Sequence, residues 1–345
     1  MTTYLLIYAL LLVMSFYSKA NKYTLLLVMI AFSLLIGFRG LSVGADTREY
    51  YDMYSRIGLS GYYRQTEILY GYANYFAFQM RMPFQWFQSL LTFFALFTHK
   101  TITRYSPHYG FSAFLLFSLY FVFYAMNIYR EMLACFIGVS AIPLLEKSKK
   151  DKIFLYYCLV ALASGFHNSA LILVLFPLAK KLNISRSLSY SLIILTLIMG
   201  IVLPYNFLGG YLGVYDRLVE TDVNTRSENE VILAVFLAIY WIGEFFLIDK
   251  MSTITFKSRI YYKILFLGVL ANNLLIKQAL GLRVILYFNI LQIITLPLLI
   301  DRNKKDNWQK KALLIIYISI FFLVFLFSNS ARVVPYVIND ISYAY

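Results

Sequence analysis

Apolar runs of roughly 15–20 residues recur along almost the whole chain, and about 20 residues of helix cross a bilayer. Only a helix satisfies the backbone of such runs inside hydrocarbon. Of the 345 residues, 61% are hydrophobic and 14% charged, and the mean hydropathy is +0.68. That excludes a soluble globular protein. The first run, 4–16, has no basic residues ahead of it and no small-residue cleavage site behind it, so it reads as a first span and not as a removed signal. No soluble domain, low-complexity linker or internal repeat interrupts the pattern. The expectation is all-α: a polytopic integral membrane helix bundle, one transmembrane domain over 1–345. A GT-C-like architecture stays open.

Basic residues set the orientation. One turn carries Lys147, Lys149, Lys150 and Lys152, a second Lys180, Lys181 and Arg186, and a third Arg302, Lys304, Lys305, Lys310 and Lys311. By the positive-inside rule all three face the cytoplasm. Counting outward adds cytoplasmic turns at 19–22, 100–104 and 250–259. The segment 39–82 then stays outside, because Lys22 and Lys100 are both inside and each lies one span away. Its half-apolar piece 68–80 should not cross, and reads as an interfacial or re-entrant helix ended by Arg81 and Pro83. About twelve spans of bilayer length remain. They run 4–18, 23–38, 84–103, 110–126, 130–146, 152–166, 168–180, 188–204, 229–248, 259–277, 281–300 and 311–328. Both termini fall outside, and the outer loops 39–83 and 205–228 form a cap facing the substrate.

This topology absorbs the net charge of +14, since twenty of the 31 basic residues and five of the 17 acids lie on the cytoplasmic side. The excess is a topogenic and anionic-lipid signal, so nucleic acid is not expected as a partner. Cys135, Cys158 and the three histidines show no metal-ligand spacing. No metal and no cofactor is expected.

The candidates for chemistry gather on the outer side, near span ends. Arg130 opens a helix in NIYREMLACFIGVSAIPLL, and His167 with Asn168 lies at the break in ASGFHNSALILVLFPL. Arg283 stands two residues past Gly281, with Lys277 just before. Arg39, Asp46 and Tyr50 come from GFRGLSVGADTREYYDMY, and Glu67 from the start of the non-crossing helix. Each has a bland reading. An arginine near a helix end snorkels to headgroups, a histidine caps a turn, and Asp46 or Glu67 pairs with Arg48 or Arg64. Concurrence argues for more, because ionised groups at membrane depth cost about 2.5–3.5 kcal/mol each and need partners or a watery cavity. Arginine forks bind phosphate oxygens bidentately, and several can neutralise a pyrophosphate without a metal. A neutral imidazole, or a carboxylate beside it, can take the proton of an attacking sugar hydroxyl.

These segments resemble the EpsG/Wzy-type polysaccharide polymerases. GFRGLSVGADTREYYDMY is similar to that family's first outer loop, with an Arg, then Gly-x-Asp, then Tyr, and TEILYGYANYF to its acid before a non-spanning helix. NIYREMLACFIGVSAI resembles its Asn-x-x-Arg-Gln/Glu-x-x-Ala helix start, FHNSALILVLFPL its Phe-His-x-Ser-Ala-Leu segment, and GLRVILYF its Arg-x-x-x-Tyr-Phe element. The resemblance covers roughly 30–300 in the family's order. Glu131 departs from the more frequent Gln, and a carboxylate there is expected to pair with Arg130. The resemblance implies a metal-independent glycosyltransferase of a bacterial cytoplasmic membrane, its active site facing the periplasm or the exterior. It would polymerise undecaprenyl-pyrophosphate-linked oligosaccharide units, donor and acceptor alike, for O-antigen, capsule or exopolysaccharide, with a chain-length regulator as a candidate partner. Arg130 and Arg283 would clamp pyrophosphate, with Arg39 as a third cation or a loop anchor. His167 would be the general base and Asp46 its competitor. Glu67, Asn168, Tyr50 and Lys277 would bind substrate.

Two other classes remain open. A lipid-linked oligosaccharide flippase would also present arginines, but with charges along a mid-bilayer path and repeat symmetry between halves. An acyltransferase that decorates surface glycans would need polar groups reaching the inner side, for which Glu244 is the one good candidate.

Overall fold

A computed structural model describes residues 1–16, 21–61, 66–96, 99–146, 150–183, 185–203, 228–257, 259–278, 281–300, 307–329 and 331–338. Residues 205–227 of the second expected cap loop, and the expected inner-turn residues Lys147, Lys149, Arg302, Lys304 and Lys305, lie outside them. The described elements are helices, and an isolated antiparallel bridge pairs Arg39 with Ile338.

The chain divides into two compact units, 1–173 with 292–345, and 174–291. The first unit contains α1 (Thr2–Phe16), α2 (Lys22–Gly37), α3 (Thr47–Ser60), α4 (Ile68–Gln79), α5 (Phe84–Ala95), α6 (His99–Tyr105), α7 (Tyr109–Ser118), α8 (Phe121–Asn127), α9 (Tyr129–Glu146) and α10 (Lys150–Ser164). A 3-10 helix, Asn168–Lys181, carries the chain across the division. The second unit contains α11 (Arg186–Val202), α12 (Glu228–Met251), α13 (Ile254–Lys257), α14 (Ile260–Leu274) and α15 (Gly281–Asn289), and the chain returns to the first with α16 (Gln292–Leu299) and α17 (Asn307–Ser328).

Local chemistry explains several ends. The Asn21 side chain accepts from Tyr23 N and Thr24 N at 3.0 and 2.9 Å, which starts α2. Gly61, at φ +62°, closes α3 with its N–H on the Ile57 carbonyl. The expected span 110–126 is instead a broken pair, α7 and α8, bent by 45°. Tyr120 makes the bend at φ +70°, a backbone that costs a non-glycine residue about 1–2 kcal/mol. Its ring lies fully buried, stacked on Phe123 at 4.3 Å and edge-on to Phe325 at 5.5 Å. That aromatic packing at the core of the first unit holds the strained turn. The expected span 281–300 is likewise interrupted, by a turn at 290–291 between α15 and α16.

The expected α-helical span 168–180 is wound as a 3-10 helix of 14 residues. At 2.0 Å per residue it reaches about 28 Å, close to the thickness of the hydrocarbon core. Ala170, Leu173, Phe176 and Ala179, three residues apart, are all buried, while Leu171, Val174, Leu175 and Leu178 are exposed. In the second unit α11 and α14 touch backbone to backbone. A Cβ on Gly200 would lie 1.7 Å from the Asn273 carbonyl oxygen, and the Asn273 amide donates to the Ile193 carbonyl at 3.0 Å.

By length and composition the segments 231–251 and 308–328 can each cross a membrane, and the bent pair α7–α8 makes a third candidate. Further apolar helices of 10–17 residues accompany them, among them α1, α2, α11 and α14. Leu6, Leu10 and Val13 on α1, Ile194, Leu195 and Ile198 on α11, and Ile316, Ile320 and Phe327 on α17 are exposed. Apolar surface of that extent belongs in lipid. By contrast, α4 has 12 residues, about 18 Å of helix, little over half the hydrocarbon core.

Candidate active site around Glu67, Arg130 and His167

Three chain breaks deliver the central side chains. Glu67 precedes α4 and makes no side-chain cap there, so its carboxylate is available to reach across. Arg130 sits in the first turn of α9, just after the break that ends α8. His167 lies between α10 and the 3-10 helix. The Gly165 carbonyl at the end of α10 accepts from Leu69 N at 3.0 Å and Tyr70 N at 3.3 Å. That link fixes the start of α4 beside the end of α10, and brings Glu67 to His167.

The Arg130 guanidinium pairs with Glu67 through Nη1 and Oε2 at 2.7 Å, with side chains 22% and 10% exposed. The other Glu67 oxygen, Oε1, lies 3.9 Å from His167 Nε2. Arg130 also faces the rings of Tyr50 and Tyr70, at 6.0 and 5.8 Å. Arg130 Nε is buried and has no hydrogen-bond partner among the described residues, so the guanidinium is not spent on Glu67. The Tyr50 phenol is pushed up to about 12, by burial first and against the pull of Arg130. It stays protonated, a neutral donor.

On its other edge His167 meets two residues that the sequence reading did not assign to the site. Its Nδ1 is 2.7 Å from Ser169 Oγ, and the Ser169 hydroxyl donates to Glu131 Oε1 at 2.9 Å. Glu131 is 1% exposed. The expected Arg130–Glu131 pairing gives way to Arg130–Glu67, because consecutive helix residues point about 100° apart. A His-x-Ser spacing beside a helix-start acid was the available signal. Asn168, between the two, is exposed.

The remaining candidates make contacts of their own. Asp46 is half-buried just before α3, with its backbone N–H on the Asn127 side chain at 3.3 Å, and its charge acts on Tyr50. Arg39 is 2% exposed. It donates through Nε to Thr47 Oγ1 at 3.0 Å and through Nη1 to Gln88 Oε1 at 2.6 Å and to the Ile36 carbonyl. Burial disfavours its charge, and the phenols of Tyr129, Tyr50, Tyr70 and Tyr336 favour it. Its backbone neighbour Gly40 donates to the Val337 carbonyl at 2.7 Å, and Gly44 to that of Arg332 at 2.8 Å. Gly44, at φ +86°, lies where a Cβ would meet the Met126 carbonyl at 2.2 Å. These contacts serve the loop-anchor alternative for Arg39. Lys277 and Arg283 belong to the second unit. Lys277 Nζ donates to the Ile201 and Leu203 carbonyls at the end of α11, and Arg283 is half-buried in the first turn of α15.

One turn beyond Tyr50 on α3, Tyr54 opens onto a cavity of about 410 Å³ lined by Tyr51, Ser55, Phe78, Arg81 and Phe84, among others. Aromatic faces and a guanidinium there suit a ring that is apolar on one face and polar at its edge. Among the described residues no group of three His, Cys, Asp or Glu side chains is placed to hold a metal ion.

Fold and site define a helical membrane protein with a cation, a carboxylate and an imidazole converging at helix ends. A family model described as the EpsG family matches residues 22–338, nearly the whole chain, and the protein belongs to that family. Membership indicates, in general terms, a glycosyltransferase-like polymerase of polysaccharide biosynthesis. No curated protein and no solved structure matches the chain.

Proposed function

We propose that the protein polymerises undecaprenyl-pyrophosphate-linked oligosaccharide repeat units on the outer face of a bacterial cytoplasmic membrane. On this reading about twelve spans cross the bilayer, 68–80 dips without crossing, and 39–83 caps the site. The observation that carries the reading is the Arg130–Glu67–His167 cluster, a cation paired with an exchangeable carboxylate beside a base.

The donor's pyrophosphate displaces Glu67 from Arg130, which meets the charge developing on the leaving oxygen. His167 Nε2 takes the proton from the acceptor hydroxyl as that oxygen forms its bond to the anomeric carbon. The bond from that carbon to the phosphate oxygen breaks, and its electron pair leaves with undecaprenyl pyrophosphate. Atoms and charge balance without a metal or a second donor. Asp46, Tyr50 and Asn168 are assigned to hydroxyl contacts, and the cavity beside Tyr54 to a sugar ring.

The test is incubation of purified protein with a lipid-linked repeat unit alone. A ladder of longer chains with release of undecaprenyl pyrophosphate is expected. Transfer of the unit across a vesicle membrane without a ladder would replace this reading with a flippase, and a requirement for an acyl donor would replace it with an acyltransferase.

A further inference from the structure

The strongest unassigned feature is the buried side of His167. A carboxylate only accepts, so the Ser169 hydroxyl spends its single proton on Glu131 Oε1 at 2.9 Å. The 2.7 Å contact between the same hydroxyl oxygen and His167 Nδ1 then requires the imidazole to donate. A proton on Nδ1 puts the lone pair of the neutral ring on Nε2, the nitrogen 3.9 Å from Glu67. Ser169 N also approaches Nδ1, at 3.2 Å. That longer contact favours the opposite tautomer, and the shorter one outweighs it.

The geometry points to Ser169 and Glu131 as positioning residues that make His167 the base at Nε2. The assignment of a base rests on the polymerase reading above; the tautomer does not. When Nε2 takes a proton, the positive charge spreads to Nδ1, whose hydrogen is already directed at Ser169 and, through it, at the buried Glu131 charge. The chain therefore does two things. It selects the tautomer before reaction and stabilises the imidazolium during it, so Glu131 acts through Ser169 and needs no contact with substrate. Among the described residues, the charged groups facing His167 include Glu67 from the turn before α4 and Glu131 from α9, with Arg130 beyond Glu67.

The decisive measurement is the ¹⁵N spectrum of the full-length protein in detergent, labelled at its three histidines. The His167 resonances are identified by their loss in His167→Gln. Above the ring's titration, His167 is expected as the Nδ1–H tautomer in the wild type and in Ser169→Thr, and to move toward Nε2–H in Ser169→Ala. An Nε2–H wild type, or an alanine variant with unchanged tautomer, overturns the proposal whatever the reaction is. In the polymerisation assay Ser169→Ala should lower kcat by roughly 10–100-fold at unchanged KM, with Ser169→Thr recovering most of it. Glu131→Gln removes the charge but keeps an acceptor, so His167 holds its added proton less firmly. The acidic limb of the pH–rate profile should then move to lower pH by about one unit. A limb that stays in place removes Glu131 from the proposal. A wild type with the Nδ1–H tautomer but no ladder would instead count against the polymerase reading.

Discussion

Arg39 and Arg130 stand around the same tyrosines yet are held in opposite ways. Arg39 lies 5.7 Å from the Tyr129 ring, and Tyr129 touches both Tyr50 and Tyr70, the rings that face Arg130. Arg39 is buried, with Nε and Nη1 on a hydroxyl, an amide and a carbonyl of its own unit, while its buried Nη2, like Arg130 Nε, has no hydrogen-bond partner among the described residues. Arg130 is partly open and is balanced by one carboxylate that carries no cap. Neutral acceptors fixed in the fold cannot be exchanged for an incoming anion without unfolding the loop. A lone carboxylate at a helix start can be. Burial alone thus does not mark a functional arginine; the kind of partner does.

The largest effect should come from Arg130→Ala. It should cut kcat/KM for chain extension by roughly 10²–10³-fold, read from the ladder, with thermal unfolding in detergent little changed. Arg130→Lys should restore little, because a point charge does not replace the fork. An Arg130→Ala protein with normal polymer would erase the distinction. Glu67→Gln comes next. It should lower kcat by about tenfold while KM stays level or falls, since phosphate no longer competes for Arg130. Arg39→Ala should act mainly on stability, by about 1–3 kcal/mol for the buried Thr47 and Gln88 groups it strands. Activity per folded molecule should hold to within a few-fold. Arg39→Met should unfold at a higher temperature than Arg39→Ala, because it refills the volume without burying a charge. The smallest change is Tyr51→Ala in the aromatic cavity, a rise in KM of roughly 2–10-fold with kcat retained.

The same contrast measures what was legible in the chain. Apolar runs and basic turns located most helices and marked Arg130, His167 and Glu67 as polar groups at helix ends. They could not say that Arg130 would take Glu67 and leave Glu131 to Ser169, because that choice depends on the Gly165 carbonyl tying α4 to α10. Ser169 carries no signal of its own in the sequence, because a serine two residues after a histidine is ordinary until a buried acid stands behind it. The bend at Tyr120 was hidden for a related reason. FLLFSLYFVFYAM contains neither glycine nor proline, and the left-handed turn exists only because distant aromatic rings reward it.

The tight winding of residues 168–181 carries one more consequence, for how sequences of this kind can diverge. With three residues per turn its side chains stand in three straight files, and Ala170, Leu173, Phe176 and Ala179 fill one of them. Deleting one residue turns the rest of this helix by about 120° and replaces the whole inner file by an outer one. Loss or gain of three residues leaves every file intact. Length changes in this stretch are therefore expected in steps of three, a periodicity that an α-helical alignment would score as a frame error.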